Sequence, residues 1–221
     1  MITKRLAAQV AVYFLGLLIL AFGVVFAINS DLGISPVNAL PRAASLSFGF
    51  GMGISVTVFF LLCLVLQMLL LRRDFKPIDL TQIVYSFVFG YFVDLAIWVK
   101  GSFTLPTYAG QLTMLAISLI LISCGLSLYL EAKLIPMPAE GLVVAIVLKM
   151  KNTSFPRVKV VFDCVLVSLA MLMTIVFMGG IYGIREGTVI SAVLIGKLMH
   201  FNRKFIVRAL DKLGFYNLLK G

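Results

Sequence analysis

Negative charge is scarce in this chain, with nine Asp and Glu against 19 Lys and Arg in 221 residues. Histidine occurs once, at His200, so a structural zinc has no ligand set to use. The three cysteines, Cys63, Cys124 and Cys164, all fall inside apolar runs. There thiols behave as small apolar groups, and a disulfide framework is not expected. A glycine-rich phosphate loop, a nucleophile elbow, His-x-x-x-His spacing and paired carboxylates on one apolar run are missing too. No enzyme chemistry, cofactor or metal is therefore expected.

What the chain has is apolar surface: 62% of its residues are hydrophobic and its mean hydropathy is +1.10. That composition implies an all-α integral membrane protein in contact with the lipid bilayer. Charge-free stretches run over 6–30, 43–71, 101–130 and 164–184, each longer than the roughly 20 residues that cross a bilayer. Two weaker stretches, 80–98 with Asp94 and 187–201 with Lys197, bring the expected spans to six. Lys4 and Arg5 before the first run resemble the start of a signal peptide, but the run is too long, and a retained helix is expected.

The net charge of +10 sorts by loop. With a cytoplasmic N-terminus the inner segments hold 15 cations, from Lys4 to Lys220, and the outer ones only Arg42, Lys100 and Arg185. The positive-inside rule then places both termini in the cytoplasm and accounts for the basic balance without nucleic acid. The tail, 203–221, reads as a basic amphipathic segment that lies on the inner leaflet or simply solubilises and orients the last span.

The chain also repeats itself. A shift of 102 places lays Gly23 on Gly125, Leu32 on Leu134, Pro36 on Pro138 and Leu40 on Leu142; a shift of 106 lays Val84 on Ile190 and Gly90 on Gly196. Residues 1–105 and 106–202 are thus expected to be two repeats of three spans, and an odd number inverts the second relative to the first. Each repeat carries a short helix, at about 35–47 and 137–150, with roughly 12 residues, too few to cross. Such a helix is re-entrant or lies obliquely at the interface.

In the first copy Ser35 reads as N-cap and Pro36 as N1. The second has Met137 there, and Glu140 at N3 complements the helix dipole instead. Polar residues in these first turns are the leading candidates for a substrate pathway: Ser35, Asn38, Arg42 for a carboxylate or phosphate, and Glu140 for a cation or proton. Asp163 can pair with Lys159 one turn earlier or serve the pathway, while Arg157 is placed to cap the cytoplasmic mouth. Asp94, with Lys100 as possible partner, and its repeat mate His200 are candidate proton-linked gates or interfacial residues. Gln82, Ser86, Thr188 and Ser191 read as packing glue, and the matching Gly90 and Gly196 as close helix contacts. The sequon at Asn152 lies in a cytoplasmic loop and is set aside.

"SDLGISPVNAL", "LIPMPAEGL", "PRVKVVFD" and "MGGIYGIREGTVISAVLIGKLM", in that order, resemble the landmarks of the bacterial YczE/YyaS/YitT family of multi-spanning membrane proteins, most closely its YczE-like branch. This chain departs in having Glu140 near the P-x-x-G-L turn, "GIREGT" before the last span, and Asp163 where the family has a glutamate. The resemblance implies a bacterial inner-membrane protein and no substrate. From the repeat and the short helices the expected function is transport of a small polar or ionic solute by alternating access. Two alternatives stay open: a substrate-binding subunit of a multi-component vitamin importer, docking through Ala7 and Ala11, or a non-transporting accessory protein with a membrane partner or as a homo-oligomer.

Overall fold

The computed structural model describes residues 2–101, 103–150 and 153–216, and among these there are eight α-helices and no strand. They are α1 (Ile2–Ser30), α2 (Pro36–Phe48), α3 (Met52–Leu71), α4 (Gln82–Lys100), α5 (Tyr108–Glu131), α6 (Pro138–Lys149), α7 (Phe155–Met178) and α8 (Glu186–Lys212). Prolines at the first turns of α2, α6 and α7 start those helices where a missing N–H costs nothing. Left-handed Gly49 and Gly179 end α2 and α7. α7 begins nine residues before the charge-free run at Cys164, and its first turns carry Lys159 and Asp163 as an i, i+4 ion pair.

Five helices, α1, α3, α4, α5 and α7, are long and apolar enough to cross a membrane. The sixth expected span is not among them. Over its stretch α8 is helical, but Lys197 is followed closely by Arg203 and Lys204, which crowds its apolar run. The helix continues without a break through the expected boundary at 202 and 203, so the first part of the tail is an extension of α8.

α1 and α5 form the most extensive pairing. A methyl group on Gly23 would lie 2.8 Å from the Ile122 amide nitrogen, and one on Gly125 only 2.6 Å from that of Leu20. Backbones this close gain van der Waals contact along the whole crossing, which is what drives helix association where lipid replaces water. Around it Tyr13, Leu17, Val24, Ile122 and Tyr129 pack into the main core.

The short helices lie against the long helices of the opposite half. α2 packs mainly on α7, with Ala39 and Ala43 around Ala170 and the Phe48 ring 5.0 Å from that of Phe177. α6 packs mainly on α3, with Gly141 beside Gln67, and Lys149 bonded to Asp74 just beyond the end of α3 at 2.7 Å. Each short helix therefore starts alongside the interior of its partner and runs parallel to it toward one end. By their packing α1, α5 and α8 form one group and α2, α3, α6 and α7 another, with α4 between them, lying more extensively on α3 than on α1.

Candidate functional site

Glu140 sits in the first turn of α6, on a segment fixed by α1. Gln9 Nε2 donates to the Ala132 carbonyl at 2.9 Å, and the Tyr13 hydroxyl to that of Ile135 at 3.2 Å. Across the boundary between the two groups, Glu140 is within electrostatic range of Tyr13 and Tyr129; on its own side it reaches Cys63, Lys159 and Asp163. Burial holds its carboxyl above the ordinary carboxylate range, opposed by the Lys159 charge. Lys159 is itself bonded to Asp163, so Glu140 has no cation to itself. Close by, Gly141 is wedged between the side-chain amides of Gln67 and Gln82. Both amide oxygens and the Tyr129 hydroxyl are buried without a hydrogen-bond partner. This cluster of acceptors and a reluctant carboxylate is suited to a proton or a small cation.

The second polar place lies at the other end of the molecule, beside α2. The chain leaves α1 through Asp31 and Gly33, whose φ of 100° only glycine adopts without strain. The start of α8 holds this turn: the Gly187 amide donates to the Leu32 carbonyl at 2.7 Å and Arg185 Nη1 to that of Asp31 at 2.9 Å. Between the turn, α2 and the α7–α8 loop is a cavity of about 130 Å³, lined by Arg42, Asp31 and Tyr182 among apolar groups. Ser35 and Asn38, both buried, bond each other, Asn38 Nδ2 donating to Ser35 Oγ at 3.0 Å. The expected cap of α2 is thus not made: the hydroxyl accepts from an amide side chain rather than from a first-turn N–H.

Asp94 accepts a hydrogen bond from the Gly53 amide at 2.8 Å and so caps the start of α3. Its supposed partner Lys100 turns away, donating to the Phe103 carbonyl at 2.5 Å and lying over the Phe26 ring. His200 and Arg157 are exposed. A methyl on Gly90 would strike Thr57 Oγ1 at 2.1 Å, whereas Gly196 has open space around it. The two matching glycines therefore do not share a packing role, and the expected close contact at Gly196 is absent. Ser86 donates to the Gln82 carbonyl, while the buried Thr188 and Ser191 hydroxyls are without partners.

A family model described as a family of unknown function, DUF6198, matches residues 7–204. The chain belongs to this family. Two similar proteins come from Bacillus subtilis (strain 168). "Uncharacterized protein YyaS" is 32% identical over 190 residues, 85% of this chain and 89% of the relative. "Uncharacterized membrane protein YczE" is 29% identical over 205 residues, 90% and 87% respectively. These are the relatives that the sequence landmarks resemble. No solved structure matches. The DUF6198 match takes in all eight helices up to Lys204 and hence both polar places.

Sequence reasoning passes over several of these residues. Gln67 had a legible signal, a single amide within the apolar "FFLLCLVLQMLLL". Tyr13 and Tyr129 had none, since tyrosine in an apolar helix reads as packing. Glu131 was missed as the last residue of a long apolar run. It is buried, and accepts from Arg203 Nε at 2.5 Å and from the Tyr216 hydroxyl at 2.8 Å.

Proposed function

We propose that this protein is a transporter of a small polar or ionic solute, working by alternating access in a bacterial inner membrane. One observation carries the reading. Both polar places lie on the boundary between the two helix groups: Glu140 is within electrostatic range of Tyr13 and Tyr129 across it, and the Arg42 cavity is closed on the other side by Ala27 and Ile28. A rocking motion along that boundary opens one end while it closes the other.

The packing supports two inverted halves. Under the 102-residue shift Gly23 and Ile122 become Gly125 and Leu20, so two of the close α1–α5 approaches are one contact made twice with the halves exchanged. That reciprocity is the mark of a two-fold relation. α8 lies on α5 as α4 lies on α1, which favours α8 as the sixth span. In this reading both termini are cytoplasmic, α2 and α6 are half-membrane helices entered from opposite sides, the Arg42 cavity faces outward and Glu140 lies toward the cytoplasm.

Purified full-length protein in proteoliposomes, assayed against a panel of labelled organic anions, amino acids and inorganic ions, is expected to give saturable flux of one class, strongly reduced in E140Q. Absence of both flux and ligand-induced thermal stabilisation across the panel removes the reading.

A further inference from the structure

The cavity beside α2 has a property that Glu140 and its neighbours lack: a cation without an anion. Arg42 is partly withdrawn from water, and among the described residues its guanidinium has neither a carboxylate within ion-pair distance nor a hydrogen-bonded acceptor. A guanidinium presents five donors, and one partly withdrawn from water gains from an acceptor that fits its planar fork. The one acid on the cavity wall is Asp31, whose side chain is 82% exposed and lies 3.8 Å from Arg185. Its charge is therefore shared and screened by solvent. Arg185 is drawn to Glu186 at 3.2 Å as well as to Asp31.

About 130 Å³ of space adjoins Arg42. That is room for several waters or for one carboxylate- or phosphate-sized group. Ile28, Ile34 and Leu46 complete the wall together with Gly33 and Gly183. Tyr182 also lines the cavity.

We infer that this cavity is a binding site for a single small oxyanion group, held by the Arg42 guanidinium. The inference deepens the transport reading by giving the solute a class, and rests on that reading only for the movement. A carboxylate or phosphate on a free solute and the phosphate of an anionic lipid share this chemistry. Arginine suits both, because its planar fork matches two oxygens at once.

The test uses full-length protein in a neutral detergent at constant ionic strength. Thermal unfolding is followed during titration with sodium acetate, with sodium phosphate and with phosphatidylglycerol in mixed micelles. A saturable rise in unfolding temperature is expected with at least one of the three, with the half-saturating concentration about ten-fold or more higher in R42Q, which corresponds to about 1.4 kcal/mol. Response to a free anion identifies a solute site, and response to the lipid alone a headgroup site. Should R42Q fail to fold, Leu46→Trp fills the cavity, leaves Arg42 in place, and is expected to abolish the same response. No saturable rise with any ligand, or an unchanged response in folded R42Q or L46W, overturns the assignment. Binding without flux of any solute would leave the site and remove transport; cation flux without anion binding would do the reverse.

Discussion

Glu140 places a carboxyl group within electrostatic range of two tyrosines, a cysteine and a lysine already engaged by Asp163. Burial makes the folded protein hold the Glu140 proton more tightly than the unfolded chain does, whose carboxyl has the ordinary value of 4.5. The stabilisation from that proton is complete below the unfolded value and is lost as pH rises through the raised folded one. Thermal unfolding followed against pH is therefore expected to show E140Q with a flatter profile than the parent, the two converging toward pH 4.5 and the variant more stable at alkaline pH. Equal slopes would mean that burial of Glu140 does not set the profile. Asp94 belongs to a different case. Its bond to Gly53 is a cap, so D94A should cost about 0.5–2 kcal/mol and D94N, which keeps an acceptor, much less, as read from unfolding in denaturant. At this scale the sequence is legible where a rule is local. The Lys159 and Asp163 pair follows from one helical turn, whereas Ser35 was misread because Asn38, also one turn away, competes for its hydroxyl.

Among the helices, the glycines separate packing from mere composition. Gly90 and Gly196 occupy matching places in the repeat but meet different surroundings, a threonine oxygen and open space. Gly90→Ala is expected to destabilise by about 1–3 kcal/mol through overpacking, and Gly196→Ala to be neutral or to stabilise by up to about 1 kcal/mol through helix propensity. Thermal unfolding of the two variants side by side checks the contrast. The end of α8 is also decided by contact. Glu131 ties Arg203 and Tyr216 to the end of α5, and Phe215 is buried nearby. E131Q removes the charge that gathers them. Faster tryptic cleavage at Arg203, Lys204 or Arg208 is expected, with the rest of the chain as resistant as before.

For the whole molecule the open count is the number of crossings. Reporter fusions at both ends are expected to place both termini in the cytoplasm, as six crossings require. Opposite sides would leave α8 on the surface and five crossings, and would remove the inverted pair from the functional reading. α1 and α5 are held to each other, inside one helix group, at a crossing made of close backbones rather than of long side chains.

Composition and charge order alone determined that this is a helical membrane protein and where most of its long helices lie, since a bilayer admits few ways to satisfy a backbone. Periodicity and coincident prolines placed α2 and α6 to within a residue or two. Only the tertiary structure decided which long helix each short one lies against, that Arg42 borders a cavity and that Glu140 comes within electrostatic range of Tyr13 and Tyr129. Those facts join residues more than a hundred positions apart. In an apolar chain nearly every helix face is equally greasy, so pattern does not say which faces meet; the fit of small residues and the partnering of the few polar ones does.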